Sequence, residues 1–297
     1  MTYVLAIGDR SYSSWSLRGW LMFARFGIPA TLRTARLYTP DFPRLLADFG
    51  IARTAPALAI EADGRRLVLW DTLAMAETLA ERHPDAGLWP ADPAQRATAR
   101  TLAAEMHAGF HALRRDCPMN LRRAYLGFEP SAEVRADLAR LEALWAYARA
   151  AAGEGPWLLG AYSLADVFFA PVATRIATYG LPVGPEAAAY VVAHLSDPTF
   201  RSWRAAGAAE GYVQAGYDLD LPERPWPGPE PLRARAVSDV DPVNAVCPSS
   251  GEPVDPNSLA EIGGVVVGFC NPFCRDKVVA DPEAWPAAMA LVHAARR

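Results

Sequence analysis

Apolar and polar positions fall into two regimes along the chain. Tyr3-Val4-Leu5-Ala6-Ile7 is a short apolar run with β-branched and aromatic members, stopped by Gly8-Asp9, and predicts a first strand. From Ser14 to Phe26 the apolar residues Trp15, Leu17, Trp20, Leu21, Phe23 and Ala24 recur at helical spacing, after hydroxyl caps and before Gly27 and Pro29. Thr31 to Arg36 predicts a second strand. Residues 56–60 and 66–70 flank Asp63-Gly64 as a hairpin, and a helix from Thr72 to about Arg82 completes an α/β domain. After Leu88-Trp89-Pro90 the period changes to 3.6 for about 120 residues. Helical runs cover Ala94–Arg115, Ser131–Ala151, Ser163–Tyr179 and roughly Glu186–His194, so the second domain is all-α.

Five of the eleven residues from Pro222 to Leu232 are proline, a composition that resists packing and favours an extended spacer. The expected organisation is therefore an α/β domain over 1–83, an all-helical domain over 90–217, a linker over 218–240 and a small α+β module over 241–297. A length of 297 residues suits more than one core, and an apolar fraction of 52% is enough to fill them.

Charge narrows the partners. With 29 basic and 33 acidic residues the net charge is −4, which supplies no cationic field for a phosphate backbone, so nucleic acid is not expected. The N-terminus lacks a basic start followed by an apolar stretch, and Arg175 interrupts the apolar run from Val167 to Val183. A cytoplasmic chain without a membrane partner is the expectation.

Ser11, Ser13, Ser14 and Ser16 crowd the first strand-to-helix junction, where unpaired amides and the helix dipole favour an anion. Ala55-Pro56 opens a strand with proline, where a cis bond would present the Ala55 backbone outward. Asp71-Thr72 opens another helix with a carboxylate beside a hydroxyl, a pair suited to the head group of an α-amino acid. Three element starts could thus face one groove.

This order resembles the glutathione transferase family. Ser13-Ser14-Trp15-Ser16-Leu17-Arg18 is similar to the Ser-Ser-Cys-x-x-Arg start of its zeta class and the Cys-Pro-x-x-x-Arg start of its cysteine classes. Ala55-Pro56-x-Leu58 resembles its Val-cis-Pro-x-Leu, Asp71-Thr72 its Glu/Gln-Ser pair, and Ser163-Leu164-Ala165-Asp166 its buried S/T-x-x-D capping box. The resemblance covers about residues 1–217. It implies a thioredoxin-like N-terminal domain with an all-α C-terminal domain, homodimerisation, glutathione as co-substrate and a small electrophile as second substrate. Ser13 would activate the thiol, with Ser14 as rival and Ser11 more distant; Ala55, Pro56, Asp71 and Thr72 would bind glutathione. Trp15 stands where the zeta pattern has a small or sulfur-bearing residue, which points away from maleylacetoacetate isomerisation.

His107 and His111 stand four apart on one predicted helical face, and without a third ligand nearby they are expected to line the groove or an interface. Three of the four cysteines lie in the tail as Cys247-x22-Cys270-x3-Cys274, a spacing at which thiolates could converge on Zn²⁺ or Cu⁺. The tail also resembles the small YHS/TRASH metal-binding domains, through Asp241-Pro242-Val243, the Cys spacing, Phe269-Cys270 and Asp281-Pro282 before Trp285. That resemblance implies metal handling or sensing at Cys247, Cys270 and Cys274, with zinc as the candidate ion and Asp241, Asp255, His293 or water as a fourth ligand. Three functions compete: a glutathione transferase, a non-catalytic glutathione-binding or metal-handling protein, and a scaffold or interaction protein that uses the dimer alone. The first two differ in whether the groove beside Ser13 is open or filled by Trp15 and Trp70.

Overall fold

The structure, a computed structural model, describes residues 1–152 and 154–297. Two compact units emerge, one of residues 1–194 with 215–227 and one of residues 195–214 with 228–297.

The first unit begins with a four-stranded sheet in the order β2-β1-β3-β4. Strand β1 (Thr2–Ile7) has Leu5, Ala6 and Ile7 wholly buried, as an apolar run without alternation demands of a strand covered on both faces. Helix α1 (Ser14–Ala24) follows, then β2 (Thr31–Thr34), which pairs parallel to β1. A short helix α2 (Asp41–Ala47), absent from the sequence expectation, precedes β3 (Ala57–Ala62) and β4 (Arg65–Leu69). Those two strands pair antiparallel around Asp63 and Gly64, both at positive φ (52° and 69°), the turn that this dipeptide favours. Helix α3 (Thr72–Arg82) is capped by the Asp71 carboxylate, which accepts from the Leu73 and Ala74 amides. The Ala55–Pro56 bond is cis. A Cβ on Gly19 would lie 2.7 Å from the Pro56 ring, so only glycine lets α1 approach that turn so closely.

Helices α4 (Pro93–Ala108), α5 (His111–Asp116), α6 (Ala132–Ala150), α7 (Leu164–Tyr179) and α8 (Pro185–Ser196) form the helical part. Helix α7 is buried on every face and packs against both α1 and α4. Its start is locked by the expected capping box, with Asp166 also accepting from the Leu158 amide and the Tyr190 hydroxyl. One prediction fails here. The run read as a single helix from Ala94 to Arg115 breaks at Gly109-Phe110, because Phe110 adopts φ 59° and a Cβ on Gly109 would meet the Glu105 carbonyl at 2.9 Å. His107 and His111 therefore lie on different helices.

Strand β5 (Ala124–Tyr125) pairs with β6 (Glu223–Arg224), so the proline-rich segment contributes a strand to the first unit. The second unit holds α9 (Pro198–Ala209), the antiparallel strands β7 (Ala234–Val237), β8 (Leu259–Ile262) and β9 (Val265–Gly268), and helices α10 (Pro272–Ala280) and α11 (Pro286–Ala295). Its core gathers Ile262, Val267, Phe269, Val278 and Val292. Helix α9 packs on α10, and Arg201 forks onto the Asp281 carboxylate at 2.7 and 2.8 Å. The boundaries thus differ from the sequence expectation: residues 218–240 supply a strand at each end, and α9 packs with the tail. Backbone pairing outweighs the local preference of proline for a free spacer.

Candidate functional site

The amino end of α1 opens on a cleft of about 400 Å³. Ser13, Ser14 and Trp15 line it from α1 and Ala55 from the turn before β3, while Arg114 comes from α5 and Arg175 from α7. Trp15 lines the cleft without filling it, and Trp70 is 44% exposed and not part of its wall. The cleft is open.

Ser13 is the cap of α1. Its Oγ accepts from the Ser16 amide at 3.2 Å and donates to the Ser16 Oγ at 2.8 Å, which in turn accepts from the Gly8 amide at 2.9 Å. Hydroxyl protons rotate without moving oxygen, so the Ser13–Ser16 bond can run the other way and free the Ser13 proton for the cleft. Such a chain of donors strengthens its last member. Among the described residues the Ser14 Oγ has one hydrogen bond, from Arg175 Nη2 at 3.5 Å.

The Asp71-Thr72 pair does not line this cleft. Thr72 is buried, its Oγ1 within 3.4 Å of His107 Nδ1, and His107 Nε2 reaches Asp71 Oδ2 at 3.2 Å. Burial holds the His107 pKa below its ordinary value despite Asp71, so the neutral ring donates from Nε2 and accepts at Nδ1. His107 also stands edge-on to Trp15, which touches the cleft. A residue that the sequence left as groove lining is thus wired to the expected amino-acid grip. Pro56 lies under Gly19, buried.

Sequence reasoning missed the arginines. Arg175 donates from Nε to the Cys117 carbonyl at 2.8 Å and from Nη1 to the Pro171 carbonyl at 3.1 Å. Arg114 donates to the carbonyls of Gly109, Met106 and His107 at the end of α4 and lies 5.1 Å from the Trp15 ring. Behind them Arg18 stacks on the same ring at 4.7 Å. The signal was present: Arg175 was the one charge in the apolar run from Val167 to Val183, and such a charge needs a polar surrounding. Cys117, by contrast, is inert, because burial pushes its thiol up to about 12.

In the second unit the Sγ atoms of Cys247, Cys270 and Cys274 lie within 4.8 Å of one another. The hairpin of β8 and β9 brings Cys270 back to Cys247, and Asn271 caps α10 through the Cys274 amide at 2.9 Å. Burial raises the Cys247 thiol, but hydrogen bonds from the Ser250 hydroxyl and nearby amides outweigh it and bring the value down to about 6. Burial takes Cys274 the other way, up to about 11. A cluster of three thiols at this separation suits a soft ion. Among the described residues Asp241, Asp255 and His293 do not join the group; the Asp255 carboxylate instead bonds Asn257 and Ser258.

Residues 12–82 match the glutathione S-transferase N-terminal domain. Solved structures extend the likeness of fold into the helical part. A maleylacetoacetate isomerase from Anaeromyxobacter dehalogenans 2CP-1, with bound dicarboxyethyl glutathione and citrate, is 25% identical over 74% of this chain and 94% of its own, at a TM-score of 0.50. A glutathione transferase homolog from Burkholderia gl BGR1, with bound glutathione, is 23% identical over 70% and 99% of the two chains, at 0.51. Glutathione transferase Omega 2S from Trametes versicolor is 21% identical over 71% and 97%, also at 0.51. No curated protein matches the chain. The fold of the first unit is therefore the thioredoxin-like domain followed by helices of the glutathione transferases, and the expectation drawn from the motifs holds at that level. No described helix is long and apolar enough to cross a membrane.

Proposed function

We propose that the chain is a glutathione-dependent transferase that presents the glutathione thiolate to a small electrophile. The observation that carries this is the open cleft at the amino end of α1, lined by Ser13 and Ser14. The glutathione sulfur sits at that helix end, where the dipole favours the anion, and gives up its proton to solvent. Ser13, receiving a hydrogen bond from Ser16, donates to the thiolate. The sulfur lone pair then attacks an electrophilic carbon. A C–S bond forms, and either a leaving group departs with its electron pair or the adduct takes up a proton. Ala55 presents its backbone to the peptide, and the γ-glutamyl end reaches beyond the cleft wall to the half-exposed Asp71, with Thr72 behind it tied to His107. The bound glutathione derivative in the 25% identical isomerase supports glutathione as the co-substrate. A homodimer in the cytoplasm completes the proposal.

The tail adds a metal-binding function to this reading. Cys247, Cys270 and Cys274 would hold one zinc or copper(I) ion, which when bound supplies a thiolate-rich structural or sensory centre.

One preparation tests both parts. The purified full chain is expected to bind glutathione in a calorimeter and to carry about one equivalent of metal. A Cys270→Ser/Cys274→Ser chain keeps the glutathione signal and loses the metal. No heat with glutathione refutes the transferase reading, and equal metal in both chains refutes the centre.

A further inference from the structure

The wall of the cleft carries three guanidinium groups, Arg53, Arg114 and Arg175, and no carboxylate. Arg175 is buried, at 5% exposure, yet one edge of its fork is unused. Nε and Nη1 are spent on the carbonyls of Cys117 and Pro171, and the nearest acceptor to Nη2 is the Ser14 hydroxyl at 3.5 Å, the limit of a hydrogen bond. Arg114 repeats the pattern. Its Nε and Nη2 close the carboxyl end of α4, while Nη1 has no acceptor among the described residues. Asp137 is the acid that faces Arg114 electrostatically, but its carboxylate accepts from the Leu113 amide and pairs with neither arginine. Behind the wall Arg18 is buried with Nη1 unpartnered.

Burial and the neighbouring Arg114 lower the Arg175 pKa to about 10, which leaves it charged at neutral pH. Buried cations need an anion with matching oxygens. The thiolate brings one negative charge to the Ser13 end, against the two facing cations Arg114 and Arg175, and glutathione's own carboxylates lie at the γ-glutamyl and glycyl ends of the tripeptide, away from its sulfur. A planar carboxylate matches the free edges of two guanidinium forks better than any neutral group does.

We propose that the electrophile is itself an anion, carrying a carboxylate near its reactive carbon that Arg175 Nη2 and Arg114 Nη1 hold beside the thiolate. The inference rests on the transferase reading, and it predicts selectivity between acids and their neutral esters.

The test uses two stable conjugates, S-(carboxymethyl)glutathione and S-(methoxycarbonylmethyl)glutathione, titrated calorimetrically against the full chain at neutral pH and fixed salt. The acid is expected to bind about tenfold or more tighter than the ester, the gain of at least one charge-assisted hydrogen bond. In Arg114→Gln the acid-to-ester ratio falls towards one. Arg175→Gln is expected to do the same, and since that side chain also ties two buried carbonyls, the half-buried Arg114 keeps the test decisive if the Arg175 variant does not fold. Equal affinity of the intact chain for acid and ester overturns the proposal, as does equal loss of both conjugates in Arg114→Gln, which would assign that arginine to the glutathione moiety. Binding of glutathione without an acid preference refutes this inference alone. Binding of neither glutathione nor a conjugate refutes the transferase reading and this inference with it.

Discussion

Replacing Ser13 by alanine separates two jobs that one hydroxyl performs. As the cap of α1, the Ser13 Oγ satisfies the amide of Ser16, a residue with no exposed surface, so its loss leaves a buried donor without an acceptor. The expected cost is about 1–2 kcal/mol, at the upper end of the range for a lost cap. As donor to the glutathione sulfur, the same hydroxyl supplies a charge-assisted bond worth about 1.5–3 kcal/mol. Its loss raises the bound thiol pKa by about 1–2 units, so the ratio of thiolate to thiol at any pH falls roughly 10- to 100-fold. The helix dipole remains and keeps the shift from being larger. The assay is a pH titration of the ultraviolet absorbance of the bound thiolate, with thermal unfolding as the control for the fold. Ser14→Ala is the matched comparison. It removes only the 3.5 Å contact with Arg175 and is expected to change stability by less than about 0.5 kcal/mol. An unchanged thiol pKa in Ser13→Ala beside a raised one in Ser14→Ala would transfer the role to Ser14. No change in either would show that the sulfur is not held at the end of α1.

Two further predictions concern stability. Burial among Trp157, Tyr162 and Tyr190 lowers the His194 pKa to about 3, so the folded ring stays neutral while the unfolded one titrates near its ordinary value. The depressed value makes this contribution complete above about pH 6.5 and drains it as pH falls towards 3, by about 5 kcal/mol in total. His194→Phe removes that slope, so urea-unfolding free energies of the two chains, measured from pH 7 to 3.5, should converge or cross as acid is added; parallel curves would refute the burial argument. In the second unit, Arg201→Ala strands the Asp281 carboxylate, which is 8% exposed, at a cost of about 3–5 kcal/mol. Local opening should then raise the rate at which a thiol reagent labels the buried Cys247 and Cys274, and an unchanged rate would show that the ion pair does not hold that unit together.

What could be read from the chain was local. Ser13 before an apolar helix, Asp71 before another, and Ser163 three residues ahead of Asp166 are caps, and a cap depends on residues within one turn of itself. The hairpin at Asp63-Gly64 was legible for the same reason. The break between α4 and α5 was not, because Phe110 at φ 59° is held there by packing that no propensity scale contains. Nor was the fate of α9, whose Arg201 meets a carboxylate 80 residues away.

The sites divide along the same line. Composition and motif order placed Ser13, Ser14 and Ala55 at element ends, and the spacing of Cys247, Cys270 and Cys274 implied convergence, because a short hairpin leaves few ways to arrange them. Only the folded chain could bring His107 to Asp71 and aim Arg114 and Arg175 at the cleft beside Ser14. Those contacts join residues dozens to more than a hundred positions apart, where the intervening chain imposes no distance and packing alone decides which charges meet.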